Sequence, residues 1–122
     1  MADFETLKGK VIIQIKGSVG SEEIIIKTSD GSEYKMYHNQ ECCESVEVID
    51  IDGDLQELIG KEILLAEKVE SGDGDLPSDY YEDYENLWTF YKLSTIDTSV
   101  TIRWLGSSNG YYSVSVSFEE VE

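Results

Sequence analysis

The sequence is poor in bases, thiols, proline and histidine, and it has no long apolar run. No stretch reaches the ~18 apolar residues that a membrane-spanning helix needs. The first residues, MADFETLKGK, lack the basic and apolar regions of a secretory signal. No Asn-x-Ser/Thr acceptor for glycosylation occurs. The only cysteines, Cys42 and Cys43, are sequence neighbours, and adjacent residues seldom reach disulfide geometry. Together these absences point to the cytoplasm, where thiols stay reduced. Nine bases stand against 26 acids, a formal charge of -17. Such a field repels nucleic acid and anionic membrane and attracts basic protein surfaces, so a protein partner is expected and direct nucleic-acid or membrane binding is not. A pocket for an anionic small molecule would need several cations, and the chain offers few.

Catalytic signatures are missing too. There is no P-loop, no GxSxG and no GxGxxG. The lone histidine has no obvious nucleophile beyond the two thiols, and Cys-His catalysis needs an orienting third group that the sequence does not identify. The expectation is a binding protein, not an enzyme.

What is present argues for a folded body. Hydrophobic residues make up 40% of the chain and aromatics 11%, including eight tyrosines, which rules out a disordered acidic tail. With 122 residues, no repeat and no linker, residues 1–122 read as one domain.

Period-two alternation predicts mostly β structure (α+β overall): an antiparallel sheet with an N-terminal hairpin, one short central helix and a C-terminal three-stranded meander. Val11, Ile13 and Ile15 alternate with Ile12, Gln14 and Lys16; Ile24 and Ile26 share a face, as do Tyr34, Met36 and His38. Asp30-Gly31 predicts a type I′ hairpin turn. A strand is expected at Val46 to Ile51. Next comes a helix capped by Asp54, with Glu57 as return partner, Leu55, Leu58 and Ile59 on its apolar side and Gly60 as its stop. Lys61 to Val69 reads as strand. Leu87 to Thr95, the Val100-Ile102-Trp104 run and the Tyr112-Val114-Val116-Phe118 run make the meander, its last turn at Asn109-Gly110.

His38-Asn39-Gln40-Glu41-Cys42-Cys43-Glu44 gathers the one histidine and both thiols. Imidazole and thiolate are zinc ligands, and structural zinc asks for four. His38, Cys42 and Cys43 are three candidates; the fourth would be a carboxylate (Glu44, Asp50, Asp52 or Glu67), a distant side chain or water. The other reading makes the cysteines small buried hydrophobes and His38 a hydrogen-bonded strand end. Both stand at this point. Without a second histidine or an HExxH helix, a zinc here would be structural. Asp50-Ile51-Asp52-Gly53-Asp54 opens like a calcium loop but puts Leu55 where glycine and Lys61 where glutamate belong.

The acids come in two blocks, one from Glu41 to Glu57 and one from Glu70 to Glu85. The second interleaves Tyr80, Tyr81 and Tyr84 with Asp73, Asp75, Asp79, Glu82, Asp83 and Glu85. It reads either as a solvated loop or as an interaction surface, in which tyrosines give contact area and carboxylates meet Lys or Arg. A protein groove built for nucleic acid is lined with those bases, and arrayed acids compete for it as a phosphate mimic.

HNQECCESVEVIDIDGDLQELIG and NLWTFYKLSTIDTSVTIRWLGSSNGYYSVSV resemble a family of small domains encoded in phages and prophages of Gram-positive bacteria, over roughly residues 33 to 120. In size and charge the chain is also similar to zinc-carrying anti-CRISPR inhibitors of the type II-A RNA-guided nuclease from streptococcal phages. That resemblance implies a host-cytoplasmic inhibitor that docks on a basic face of the nuclease and blocks target DNA loading, with a structural zinc at His38, Cys42 and Cys43. A sponge for a nucleotide immune signal and a structural phage interaction domain are the alternatives.

Overall fold

Among the described residues, alternating apolar residues build eight strands, with two single-turn 3-10 segments beside them. The computed structural model describes residues 3–40, 44–71, 85–108 and 114–121. The strands are β1 (Ile12–Lys16), β2 (Glu23–Thr28), β3 (Glu33–Tyr37), β4 (Ser45–Asp52), β5 (Leu65–Ser71), β6 (Glu85–Ser94), β7 (Ser99–Ser108) and β8 (Ser117–Val121). They form two antiparallel four-stranded sheets, ordered β1-β2-β3-β8 and β4-β7-β6-β5. Among the described residues no helix is long and apolar enough to cross a membrane.

The two sheets share one core. Ile24, Ile26, Tyr34 and Met36 from the first meet Val48, Tyr91, Leu93, Ile102 and Trp104 from the second, all essentially inaccessible. Phe4, in the 3-10 turn Phe4–Leu7, links them: its ring lies edge-on to Tyr91 at 4.6 Å and to Phe118 at 5.1 Å. Phe118 stacks on Tyr34 at 5.3 Å. Each such pair adds about 0.5–1.5 kcal/mol beyond the area it buries. Burial, then the nearby Glu70 carboxylate, pushes the Tyr91 phenol up, so it stays neutral and donates to the Val116 carbonyl at 3.4 Å.

The structure corrects the expected architecture at five points. First, the register of β1 shifts between Ile12 and Gln14, so Ile12 and Ile15 are buried while Ile13 is 54% exposed. The face Val11-Ile13-Ile15 is therefore not the core face; one extra residue reverses the alternation beyond it. Second, the Asp30-Gly31 hairpin turns where expected but is not type I′. Only Gly31 has positive φ, the Gly31 N–H donates to Thr28 O, and the Thr28 N–H donates to Ser32 O. This is a longer turn that ends in a glycine bulge. Third, no central α-helix forms. Asp54 does cap Leu55–Leu58, accepting from the Gln56 N–H at 2.9 Å, but the segment is a single 3-10 turn. Fourth, Glu57 accepts from the Thr98 hydroxyl instead of closing a capping box. Fifth, the C-terminal meander does not exist as a unit: β6 and β7 pair, but β8 crosses to the other sheet and pairs with β3. Val114, Val116 and Phe118 thereby enter the core from the opposite side, and the β3 edge is covered. Asn109, Gly110 and Tyr112 lie outside the described residues.

Candidate functional site

The chain changes sheets twice, from β3 to β4 and from β7 to β8, and His38 stands where the two crossings meet. It follows β3, with its side chain only 5% exposed. Nδ1 lies 2.7 Å from the Ser115 carbonyl, which precedes β8. Nε2 lies 2.8 Å from Oε2 of Glu44, whose side chain is fully buried just before β4. A carbonyl can only accept, so Nδ1 carries a proton, and a second proton is shared between Nε2 and the carboxylate. Gln40 closes the set: its Nε2 donates to Glu44 O at 2.7 Å and Oε1 at 3.2 Å. A buried carboxylate without such partners would be costly, and losing one partner of a buried pair costs about 3–5 kcal/mol.

Of the four carboxylates weighed as a fourth ligand, the structure brings Glu44 to His38. Asp50 and Asp52 sit on β4 opposite Arg103 and Thr101, and Glu67 sits on β5 opposite Lys92. Glu41, Cys42 and Cys43 lie outside the described residues. Among the described residues no three His, Cys, Asp or Glu side chains converge on a metal position. A ligating histidine donates its other N–H to a carbonyl, as His38 does to Ser115. The Nε2–Oε2 separation is that of a hydrogen bond, while two ligands of a tetrahedral zinc stand about 3.3 Å apart. Gln40 and Ser115 were not foreseen. Gln40 was legible as a donor four residues before an acid, whereas Ser115 is 77 residues away and carried no local signal.

The acids divide unevenly over the two outer faces. On the first sheet the outward positions alternate in sign: Glu23, Lys27, Glu33, Lys35 and Glu119. Lys27 pairs with Glu33 at 3.6 Å and Lys35 with Glu23 at 3.8 Å, while Glu119 accepts from Tyr37 and raises its pKa. On the second sheet Glu47, Asp50, Asp52 and Glu67 border a centre where Trp88 stacks on Phe90 at 5.9 Å and Arg103 lies over Phe90. The shift in β4 register between Val48 and Asp50 produces this border. Had the alternation run on unbroken, Asp50 and Asp52 would share the side of Val46 and Val48 and face the core. Arg103 reaches Asp50 at 3.7 Å, a structural ion pair on an exposed surface.

Asp73, Asp75, Asp79, Tyr80, Tyr81, Glu82, Asp83 and Tyr84 lie outside the described residues, as does the side chain of Glu85. The connection that holds them leaves the second sheet at Ser71 and rejoins it at Glu85, on adjacent strands. Among the described residues two further ion pairs join segments 20 and 36 residues apart. Lys10 meets Asp30, and Lys61 meets Asp97, each holding its carboxylate below the usual range.

The chain matches no curated protein and no solved structure. Its residues 5–118 match DUF7448, a domain of unknown function, and the chain belongs to that family.

Proposed function

We propose that this chain is a binding domain, not a catalyst, and that it lays carboxylates on a cationic groove which a partner protein keeps for nucleic acid. The observation that supports this best is the second sheet's outer face, where acids on β4 and β5 frame the half-buried Phe90 and Arg103, with Trp88 buried against Phe90. An aromatic and arginine centre with a charged rim is the composition of an interface, and the net charge sets the sign of its partner. Asp73, Asp75, Asp79, Tyr80, Tyr81, Glu82, Asp83, Tyr84 and Glu85, on the connection from the same sheet, extend the contact. The sequence resemblance supplies the partner class: a phage-encoded anti-CRISPR inhibitor that acts on the type II RNA-guided nuclease in the host cytoplasm and blocks target DNA loading.

A structural zinc belongs to this reading, held by His38, Cys42 and Cys43 with Glu44 as the fourth ligand. It would fasten the two sheet crossings that His38 already joins, and a closed ligand set leaves no position for substrate. Metal analysis of protein purified without a histidine tag tests it, with one zinc per chain expected.

The function is tested by co-purification with the guide-loaded nuclease followed by a DNA-loading gel shift. The reading predicts a stable complex and loss of the shifted DNA band. Unhindered loading at saturating protein overturns it.

A further inference from the structure

The outer face of the second sheet is not acidic throughout. Two rows of side chains cross its four strands, and both consist of described residues. From β4 through β7 and β6 to β5, one runs Asp52, Thr101, Lys92, Glu67 and the other Asp50, Arg103, Phe90, Val69. The acids stand on the two outer strands. Lys92 and Arg103, the only cations that the described residues place on this face, stand on the two inner ones. They are diagonal neighbours, roughly 7–8 Å apart, so one group between them is within reach of both. Neither is fully satisfied. Glu67 stands opposite Lys92, yet among the described residues no carboxylate closes to ion-pair distance of its ammonium. Arg103 Nη1 stays 3.7 Å from Asp50, beyond hydrogen-bond length, and the side chain is 43% exposed. Its Nε has no hydrogen-bond partner among the described residues.

We infer that the middle of this face takes one carboxylate of the partner protein, an Asp or Glu side chain held between Lys92 and Arg103. A groove of uniform positive charge would meet these two cations with like charge, and closing the contact would bury them without a counter-ion. A carboxylate set among the partner's Lys and Arg removes both costs, and a guanidinium can offer it two parallel N–H donors. Phosphate is the poorer fit, because nucleic acid must approach past Asp50, Asp52 and Glu67 in a field that repels it. The change of sign from rim to centre also fixes register, since a shifted partner sets like charges against each other. The inference rests on the groove-binding reading above and adds to it the residues that choose among cationic grooves.

Lys92→Glu with Arg103→Glu tests this, because the pair makes the chain still more acidic. If net charge alone drives docking, the variant excludes target DNA from the guide-loaded nuclease better than the parent. The inference predicts the opposite: inhibition about tenfold weaker at low salt, with urea denaturation showing that the chain still folds. Lys92→Gln with Arg103→Gln should weaken inhibition about threefold, and it keeps the test available if the double glutamate variant unfolds. Lys8→Glu with Lys16→Glu, on exposed lysines away from this face, should not weaken it. Changing the contacting Asp or Glu of the nuclease groove to Lys should restore inhibition by the charge-reversed chain. Inhibition that is equal or stronger after reversal overturns the inference. A loss that no groove substitution restores assigns the acceptor to nucleic acid and overturns it too. A parent chain that never excludes DNA removes the groove reading and this inference together; an inhibiting parent with an equally inhibiting variant removes this inference alone.

Discussion

The two sheets have the same strand number and antiparallel order, yet their outer faces are electrically different. On the β1-β2-β3-β8 sheet Lys27 and Lys35 each have a carboxylate beside them, and the pairs are exposed. Such pairs contribute little stability, a median of about 0–1 kcal/mol, but they cancel the field locally. On the β4-β7-β6-β5 sheet the acids sit on the strands at the two edges, and the middle is aromatic. Acidic edges also discourage edge-to-edge pairing between copies of the chain. The lesson is that a net charge says little until it is divided among faces. One face alternates in sign, and the other is the one that the proposed function brings to a partner.

The junction at His38 keeps both faces on one body, and it is the place to break the comparison hardest. His38→Ala in chelator-treated protein should cost about 3–5 kcal/mol, because Glu44 loses its imidazole while remaining buried. Urea denaturation measures it; a change below about 1 kcal/mol would mean that Glu44 finds solvent or another partner. Gly106→Ala comes next. A Cβ there would stand 2.5 Å from the Val114 carbonyl oxygen, where the crossing to β8 passes under β7. Backbone must move, at a cost of about 1–3 kcal/mol in the same denaturation measurement.

The strand faces were partly legible in the sequence, whereas the close approach at Gly106 was not. Alternation located Ile24 with Ile26, Tyr34 with Met36, and Val100 with Ile102 and Trp104, and each set is buried. The bulges in β1 and β4 were not legible, since one inserted residue changes the face of all that follow without any marker in composition. The partner of β8 was misjudged for a related reason. A short Asn-Gly link favours a local hairpin, while Val114, Val116 and Phe118 are buried best on the far side of the core. Asp54 was readable as a cap, but Leu55–Leu58 has too few residues to pass the nucleation cost of an α-helix. At the junction, His38 and Glu44 were visible as neighbours in sequence, and their burial was not.

Smaller effects sharpen the contrast between the faces. Glu47→Gln, Asp50→Asn and Asp52→Asn together should weaken inhibition of DNA loading about tenfold at low salt. The matched triple Glu23→Gln, Glu33→Gln and Glu119→Gln should change it less than about twofold. Equal losses in a competition gel shift would show that net charge acts without regard to face. The smallest effect belongs to Asp30, whose pKa is lowered by Lys10 first, then by the Thr28 hydroxyl and the Ser32 N–H. A carboxylate with a depressed folded pKa stabilises above its unfolded value of about 3.9, and that stability is lost as pH falls through the folded value. Asp30→Asn should therefore lower the urea midpoint slightly at neutral pH, and the gap from the parent should close in strong acid. A gap that widens with acid would reverse the assignment.

The most direct measurement is an equilibrium competition between this chain and target DNA for the guide-loaded nuclease across a series of sodium chloride concentrations. Carboxylates facing a cationic groove predict complete exclusion of DNA at low salt and an inhibition constant that rises steeply as the Debye length falls below about 10 Å. DNA that loads fully at saturating protein, or a block indifferent to salt, would contradict the account.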